Sequence, residues 1–283
     1  MAPRTLLAEL VHDAAMFPPG NASAANAVAS HLAYRRAWFR WMIGPLVVSD
    51  QKLAEVGRAA HGQAQEPMAV SVVNTGGAGG LVSLAHRPMP SLDVLAVETA
   101  LRDLDDLAGN AARVASAATE LPEGMQVYVE VPYAPGWQRA VEVVEAAGLF
   151  GKIRTGSPDD AETPPHEQLA RQLSVLVEAD LPFKATAGLH HAWRSDGADP
   201  ARPRQHGFLN LLVALDAVIE GADEADVVDL LARVDRQEVL HRITGWDDVA
   251  AQKVRRRFAG FGCCGVLDPV NDLVALNLVE EST

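Results

Sequence analysis

LFGKIRTG (residues 149–156) and LPFKATAGLHH (residues 181–191) are short apolar stretches that each contain one lysine and then turn polar. The two lysines, Lys152 and Lys184, are 32 residues apart, and a helical pattern lies between them at Pro165–Ala179. That separation is typical of one strand–helix–strand unit. Because an ammonium group on a buried strand is costly unless something pairs with it or uses it, the two lysines indicate an active site.

The same alternation of strand and helix patterns runs along the whole chain. Eight apolar segments are predicted as strands, at Leu6–His12, Met42–Val48, Met68–Asn74, Val94–Glu98, Gln126–Val131, Lys152–Thr155, Phe183–Ala187 and Ala259–Cys264. Amphipathic helices are predicted at Asn26–Arg40, Gln51–His61, Leu101–Glu120, Gly136–Ala147, Pro165–Ala179 and Phe208–Ile219. Strands that alternate with helices form parallel sheets.

Eight such units in 283 residues match an α/β protein with a single (β/α)8 TIM-type barrel. We therefore expect one barrel domain over residues 1–283, with extra helix inserted between strands 7 and 8 at Glu220–Trp246. A doubly wound open sheet is the alternative. Such a sheet normally has a glycine-rich nucleotide-binding turn after its first strand, whereas the first turn here is Phe17-Pro18-Pro19-Gly20.

Composition excludes several classes of protein. The net charge is −13 and there is no long basic stretch, which argues against nucleic-acid binding. Arg255–Arg257 indicate one basic turn of a helix, and we expect these side chains in solvent. No apolar run approaches the roughly 20 residues that span a bilayer, and the first residues lack the apolar core of a secretory signal. The only cysteines, Cys263 and Cys264, are adjacent, which disfavours a disulfide and fits a reduced, cytoplasmic location.

The charged residues of the predicted strands share faces. In Gln126–Val131, Gln126, Tyr128 and Glu130 lie on one face and valines on the other, because side chains alternate along a strand. A barrel strand packs its apolar face on helices, so the charged face must point into the lumen, near the strand ends where barrel enzymes place their chemistry. The candidate site contains Glu98, Glu130, Lys152, Arg154, Lys184 and Thr186. The alternative is that these residues form ion pairs that only fill the barrel.

The chemistry of this set is that of an activated amine. A lysine close to two other cations has its neutral form favoured by repulsion and desolvation. A neutral amine can attack a carbonyl and form a Schiff base, and a carboxylate such as Glu130 can then move the protons. A second interpretation is that Lys152, Arg154 and Lys184 simply clamp an anionic substrate.

The motifs KIRTG and KATAG also resemble class I aldolases of the deoxyribose-phosphate aldolase type, over about a tenth of the chain. The resemblance implies a (β/α)8 barrel in which Lys152 forms the Schiff base and Lys184 lowers its pKa. It also places Gly188 in the backbone region that meets the phosphate. The sequence departs from that family at Arg154, where the family has a small polar residue, and at His190-His191, which replace the phosphate-binding turn.

Other polar residues at predicted strand ends complete the candidate site. His190 and His191 are predicted to bind an anion or do acid–base work, with loop ordering as the alternative. Asp13 is predicted to be a lid-side acid or a substrate contact, with capping of the following turn as the alternative. The full set of predicted substrate-binding residues is Asp13, Asn74, Arg154, Thr155, Gly156, Thr186, Gly188, His190, His191, Arg194, His206, Asn210 and Gly262.

Metal binding is a further alternative for part of this region. His190, His191, His206, Cys263, Cys264 and Asp13 could converge in a barrel. Their spacing matches no known metal signature, so we predict no metal and no cofactor.

Three functions follow from these patterns. The leading hypothesis is a lyase or aldolase-type enzyme that acts on a small anionic carbonyl compound, either phosphorylated or not. The second is a barrel that enolises or isomerises its substrate with a lysine as base, with or without a metal. The third is a ligand-binding barrel without catalysis. We expect no nucleic-acid or membrane partner, and Trp38 and Trp41 on a helical stretch fit a core or a homo-oligomer interface.

Overall fold

The protein is a closed barrel of eight parallel strands that follow one another in chain order. The computed structural model describes residues 1–156, 163–197, 204–233 and 235–281. The strands are β1 (Val11–Asp13), β2 (Ile43–Ser49), β3 (Met68–Asn74), β4 (Leu92–Ala100), β5 (Gln126–Glu130), β6 (Phe150–Arg154), β7 (Phe183–Thr186) and β8 (Phe258–Cys263). The predicted (β/α)8 TIM-type barrel is therefore confirmed, and the open-sheet alternative is wrong.

Helices follow the strands and surround the barrel. They are α1 (Arg4–Leu7), α2 (Ala24–Tyr34), α3 (Leu53–His61), α4 (Gly77–Ala85), α5 (Leu107–Ala118), α6 (Trp137–Ala146), α7 (His166–Glu178), α8 (Phe208–Ile219), α9 (Glu224–Ala232), α10 (Arg236–Gly245), α11 (Asp248–Arg257) and α12 (Leu267–Ala275). Short 3-10 turns lie at Arg40–Met42 and Asp50–Lys52. Among the described helices, none is both long and apolar enough to cross a membrane.

The core lies between the outer face of the strands and the inner faces of the helices. Val127 and Val129 of β5 point outward and are buried there, as the alternation predicts. Helix α8 is buried on nearly all sides, because it packs against α7 and also against α9, α10 and α11 of the segment between β7 and β8. A helix enclosed in this way can be apolar all round, which explains its sequence FLNLLVALDAVI.

The first predicted strand is partly wrong. Residues 4–7 form helix α1, and β1 begins only at Val11. Leu6 and Leu7 of this helix are both buried, and α1 packs against α11. Two consecutive buried leucines do not fit a strand, whose neighbouring side chains point to opposite faces, as well as they fit a short helix enclosed by its neighbours.

The glycine-rich stretch Thr75–Gly80 is a turn for only two residues. Helix α4 begins at Gly77, and its Leu81 and Leu84 are buried. Tertiary burial of these leucines outweighs the poor helix propensity of the glycines before them.

The barrel closes where β8 pairs with β1, in the register Val11 to Phe261 and Asp13 to Cys263. The guanidinium of Arg255 spans this junction. It donates hydrogen bonds to the carbonyl oxygens of Leu6, Ala8, Phe258 and Ala259, at 2.8–3.0 Å. Burial lowers the pKa of Arg255 to about 10. The prediction that this basic turn lies in solvent is therefore wrong for Arg255.

Candidate active site

The charged side chains of four neighbouring strands meet inside the barrel. Glu130 on β5 is paired in register with Lys152 on β6, and Lys152 is paired with Lys184 on β7. Glu98 reaches the same place from β4. Glu98 and Glu130 lie toward the carboxyl ends of β4 and β5, the end where barrel enzymes carry out catalysis. Lys152 is the middle residue of β6, and Lys184 is the second residue of β7.

Glu98 is the centre of this group. Its Oε2 lies 2.9 Å from Lys152 Nζ, and its Oε1 lies 2.6 Å from Lys184 Nζ. The hydroxyl of Ser71 on β3 donates a further hydrogen bond of 2.6 Å to Oε1. Burial disfavours the charged carboxylate, but the two ammonium groups outweigh that penalty and hold the pKa of Glu98 well below its usual range.

The two lysines have different environments. Burial opposes the charged form of Lys152, yet the carboxylates of Glu98 and Glu130 together raise its pKa. Burial lowers the pKa of Lys184, and repulsion from the Lys152 ammonium acts in the same direction. Glu98, the one carboxylate that pairs with Lys184 among the described residues, does not offset these two effects. The expectation that Lys184 would lower the pKa of Lys152 is not met, because the carboxylate of Glu98 binds both ammonium groups.

Five side chains form a continuous row of ion pairs that reaches solvent at one end: Lys184, Glu98, Lys152, Glu130 and the exposed Arg154. Glu130 Oε2 lies 3.1 Å from Lys152 Nζ, and its Oε1 accepts a hydrogen bond of 3.2 Å from Arg154 Nε. Although burial acts in the opposite direction, these two cations lower the pKa of Glu130. The exposed fraction of the side chain rises from 1% for Lys184 to 7% for Lys152 and 52% for Arg154. Three cations and two carboxylates give this row a net positive charge.

On its inner side, Lys184 contacts His12 and Tyr128. The amine is 2.8 Å from His12 Nδ1 and 5.3 Å from the centre of the Tyr128 ring. Burial lowers the pKa of His12, so its neutral ring can accept this hydrogen bond. Both residues also line a cavity of about 460 Å³ at the amino-terminal ends of the strands. Sequence reasoning did not assign His12 or Ser71 to the site, although each is a polar residue in an apolar strand.

The loops that follow β6 and β7 are fastened to each other. The Thr155 hydroxyl donates a hydrogen bond of 2.6 Å to the Ala187 carbonyl oxygen. Gly156 and Gly188 pack so closely that a Cβ on either would lie within 2.9 Å of the other's Cα, and Gly188 has a φ of +77°. Thr155, Gly156 and Gly188 were predicted to bind substrate, and here they join the backbones of the two loops to each other. Thr186 faces Gly262 across the neighbouring strand, where a Cβ would lie 3.8 Å from its hydroxyl oxygen.

Asp13 and Asn74, also predicted to bind substrate, hold turns. Asp13 Oδ1 accepts a hydrogen bond from the backbone N–H of Ala15, and its Oδ2 lies 3.1 Å from Nδ1 of the buried His31. The capping alternative for Asp13 is thus the one that the geometry supports. Asn74 donates to the Gly77 carbonyl oxygen at 2.7 Å and to the Thr99 hydroxyl at 3.1 Å.

Asn210, Arg194 and His206 lie in the packing around α8. The amide of Asn210 donates to the carbonyl oxygens of Leu230 and Arg233, and its oxygen accepts from the backbone N–H of Arg194. The Arg194 guanidinium donates to the Ala232 carbonyl oxygen. His206 Nε2 donates to the Pro164 carbonyl oxygen, and burial lowers the pKa of His206 to about 4. These side chains order the β7–β8 segment, and their contacts do not include the lysines.

The two histidines after β7 each pair with an aspartate of α12. His191 Nδ1 lies 3.2 Å from Asp272 Oδ2, and His190 Nδ1 lies 3.2 Å from Asp268 Oδ2. His190 also contacts the sulfur atoms of Cys263 and Cys264. In the described ranges of the chain, no three or more His, Cys, Asp and Glu side chains form a group that could hold a metal ion.

Comparison with known proteins gives similarity of fold only. No protein-family model and no curated protein matches the chain. The chain is similar to the carboxyl transferase domain of Rhizobium etli pyruvate carboxylase, solved with pyruvate, at 12% identity and a TM-score of 0.45 over 90% of this chain; it spans about half (49%) of that chain. It is also similar to a "putative fructose-1,6-biphosphate aldolase" from Coccidioides immitis, at 10% identity and a TM-score of 0.40, over 89% of this chain and 91% of that one. The resemblance to deoxyribose-phosphate aldolases stays a prediction.

Proposed function

We propose that the protein is a barrel enzyme that acts on a small anionic carbonyl compound through a Schiff base on Lys152. The observation that carries the proposal is the position of the Lys152 amine. It lies 2.9 Å from Glu98 and 3.1 Å from Glu130, at the point where a buried row of charges approaches solvent. Lys184 is enclosed more deeply, so a substrate entering at the strand ends meets Lys152 first.

The carboxylates around Lys152 support each stage of such a reaction. Glu130 relays the ammonium proton to solvent, a step that the raised pKa of Lys152 and the lowered pKa of Glu130 make slow at neutral pH, and the free amine then adds to the carbonyl carbon. Glu130 returns a proton to the carbinolamine oxygen, which leaves as water. The iminium that results carries the same positive charge as the original ammonium, so Glu98 and Glu130 stabilise both. The iminium then accepts the electrons of a neighbouring carbon–carbon bond, while a carboxylate takes the proton of the hydroxyl group on the departing carbon, and that fragment leaves as a carbonyl compound. Protonation of the remaining enamine and attack of water on its iminium release the second product and the Lys152 amine.

The other charged residues have separate roles in this proposal. Arg154 binds the anionic group of the substrate, because its guanidinium is half exposed at the mouth and the row has a net positive charge. Lys184 is a positioning residue. Its ammonium fixes one oxygen of Glu98 and leaves the other oxygen facing Lys152. Because the pKa of Lys152 is raised, we expect imine formation to become faster as the pH rises above 7.

Borohydride trapping tests the proposal, because the sequence has only four lysines to which an adduct could map. The protein is reduced in the presence of small aldehydes, ketones and keto acids, and the adduct is mapped by peptide mass spectrometry. We expect an adduct on Lys152 that is absent in Lys152→Met. Lys52 is half exposed and paired with Glu55, so Lys52→Met is the matched control and should keep the adduct. The absence of any adduct across the panel, or an adduct on the two surface lysines alone, would contradict the proposal.

One observation favours a second candidate, a ligand-binding barrel without catalysis. Each charged side chain of the row already has an oppositely charged partner within 3.2 Å. A lumen of this kind can serve packing alone. In that case Lys152→Met would lower the free energy of unfolding while leaving the affinity for small anions unchanged, which calorimetry and urea unfolding would show together.

A further inference from the structure

A second group of reactive side chains lies where β7 and β8 end. Cys264 follows β8, His190 follows β7, and Asp268 is in the first turn of α12. The Sγ of Cys264 lies 3.5 Å from His190 Nε2, and His190 Nδ1 lies 3.2 Å from Asp268 Oδ2. A thiol, an imidazole and a carboxylate are thus joined in that order, through the two different nitrogens of one ring.

This order is the one that nucleophilic catalysis needs. The carboxylate of Asp268 fixes the orientation of the imidazole by accepting the Nδ1 proton, which leaves Nε2 facing the thiol. Hydrogen bonds with the thiols of Cys263 and Cys264 raise the pKa of His190 to about 11. The imidazole therefore holds a proton that it can give to a leaving group.

The two cysteines differ in ways that select one of them. Cys263 is 1% exposed, its thiol donates to the Gly265 carbonyl oxygen at 3.3 Å, and burial raises its pKa. Cys264 is only partly buried. The thiol of Cys263 is thus held in the core, and that of Cys264 is the one that a ligand can reach.

The cluster borders the mouth of the barrel. Gly262, two residues before Cys264, faces Thr186 beside the lysine row. On the other side, Gly20 in the loop after β1 packs on Cys264, since a Cβ there would lie 3.1 Å from the Cys264 Cβ. The thiol therefore sits at the catalytic end of the barrel, in a position separate from the Lys152 amine.

We propose that Cys264, His190 and Asp268 form a second catalytic site, which transfers the acyl group of small esters or thioesters. The Cys264 thiolate attacks the acyl carbon, and the bond from that carbon to the leaving oxygen or sulfur breaks. His190 donates its Nε2 proton to the leaving group, which departs as an alcohol or thiol. Water then attacks the acyl-cysteine while His190 takes its proton, and a carboxylic acid and the free thiol result. This site goes beyond the proposed Schiff-base function and does not require Lys152.

p-Nitrophenyl acetate tests the proposal, because acylation releases coloured p-nitrophenolate and leaves an acetyl group on the nucleophile. We expect a burst of one p-nitrophenolate per chain and an acetyl group that peptide mass spectrometry places on Cys264. The burst should be absent in Cys264→Ser and about 100-fold slower in His190→Gln, which lacks the imidazole that takes the thiol proton and gives it to the leaving group. Cys263→Ser is the matched control and should keep the burst.

Two further measurements keep the result decisive. Lys152→Met should retain the burst, which separates this site from the Schiff-base site. In the wild-type protein, iodoacetamide should alkylate Cys264 and spare the buried Cys263, because Cys264 is the more exposed thiol and its sulfur lies 3.5 Å from His190 Nε2. Acetyl groups on lysines alone, or alkylation of Cys263 in place of Cys264, would overturn the proposal even if a variant failed to fold.

Discussion

Lys152 and Lys184 lie directly opposite each other on neighbouring strands, and both of their ammonium groups bind the same carboxylate, that of Glu98. Two like charges at this spacing inside a barrel would otherwise repel each other in a medium that screens poorly. The stability of the barrel and the state of the candidate site therefore depend on one side chain.

Replacing Glu98 with glutamine should be strongly destabilising. Glu98→Gln leaves the two buried ammonium groups without their shared counter-ion, and we expect the free energy of unfolding to fall by about 3–5 kcal/mol. Urea unfolding followed by circular dichroism measures this change. Glu55→Gln, which removes the exposed partner of Lys52, is the control and should change it by less than about 1 kcal/mol. Equal effects of the two substitutions would mean that the lumen is well hydrated.

Stability should be lost in acid. The pKa values of Glu98 and Glu130 are lowered in the folded protein, whereas an unfolded glutamate titrates at about 4.3. Below roughly pH 5 the unfolded chain thus binds more protons than the folded one, so the free energy of unfolding falls as the pH drops. Urea unfolding between pH 7 and pH 3 measures the slope. Glu130→Gln should have a shallower slope, and an unchanged slope would contradict the role of this ion pair.

Gly44 should be intolerant of a side chain because of its contact with His12. A Cβ at Gly44 would lie 2.6 Å from His12 Cδ2, so Gly44→Ala must displace the ring that accepts the hydrogen bond of Lys184. We expect a loss of about 1–3 kcal/mol in the free energy of unfolding. Gly62→Ala is the matched control, since nothing lies within 4 Å of its Cβ position and its φ is −86°. It should be neutral or slightly stabilising, and a similar loss at both positions would contradict the contact with His12.

Asn210 should matter for stability and not for the lysine chemistry. Asn210→Ala removes hydrogen bonds to the Leu230 and Arg233 carbonyl oxygens, and we expect the free energy of unfolding to fall by about 2–4 kcal/mol. Borohydride trapping on Lys152 should persist in the folded variant. Asn26→Ala, at an exposed position of α2, is the control for the substitution itself. Loss of trapping without loss of stability would support the prediction that Asn210 binds substrate.

The fold and the faces of the strands could be predicted because their signals are local. Alternation of apolar and polar residues is a property of a few consecutive positions, so it placed Glu130, Lys152 and Lys184 on the inner face. The partners of those side chains could not be predicted in the same way. The carboxylate between the two lysines is set by the register of β4, β5, β6 and β7 relative to one another. That register is fixed by packing of the whole barrel.

The polar residues of the loops were harder to interpret. Asn210 and His206 were predicted to bind substrate because they are polar and follow β7. Their partners are carbonyl oxygens 20–42 residues away, which no local pattern reveals. Conversely, Ser71 and His12 were missed, although a single polar residue within an apolar strand is a signal that could have found them.

The hydrogen bonds of Arg255 close the barrel between its first and last strands. This guanidinium binds carbonyl oxygens on both sides of the junction between β1 and β8, and it follows Leu6 by 249 residues. During synthesis on the ribosome, β1 therefore lacks its neighbour β8 until all the intervening strands and helices have emerged. An open strand edge of this kind is prone to pair with other chains, so we expect production in cells to depend on chaperones that shield nascent β1.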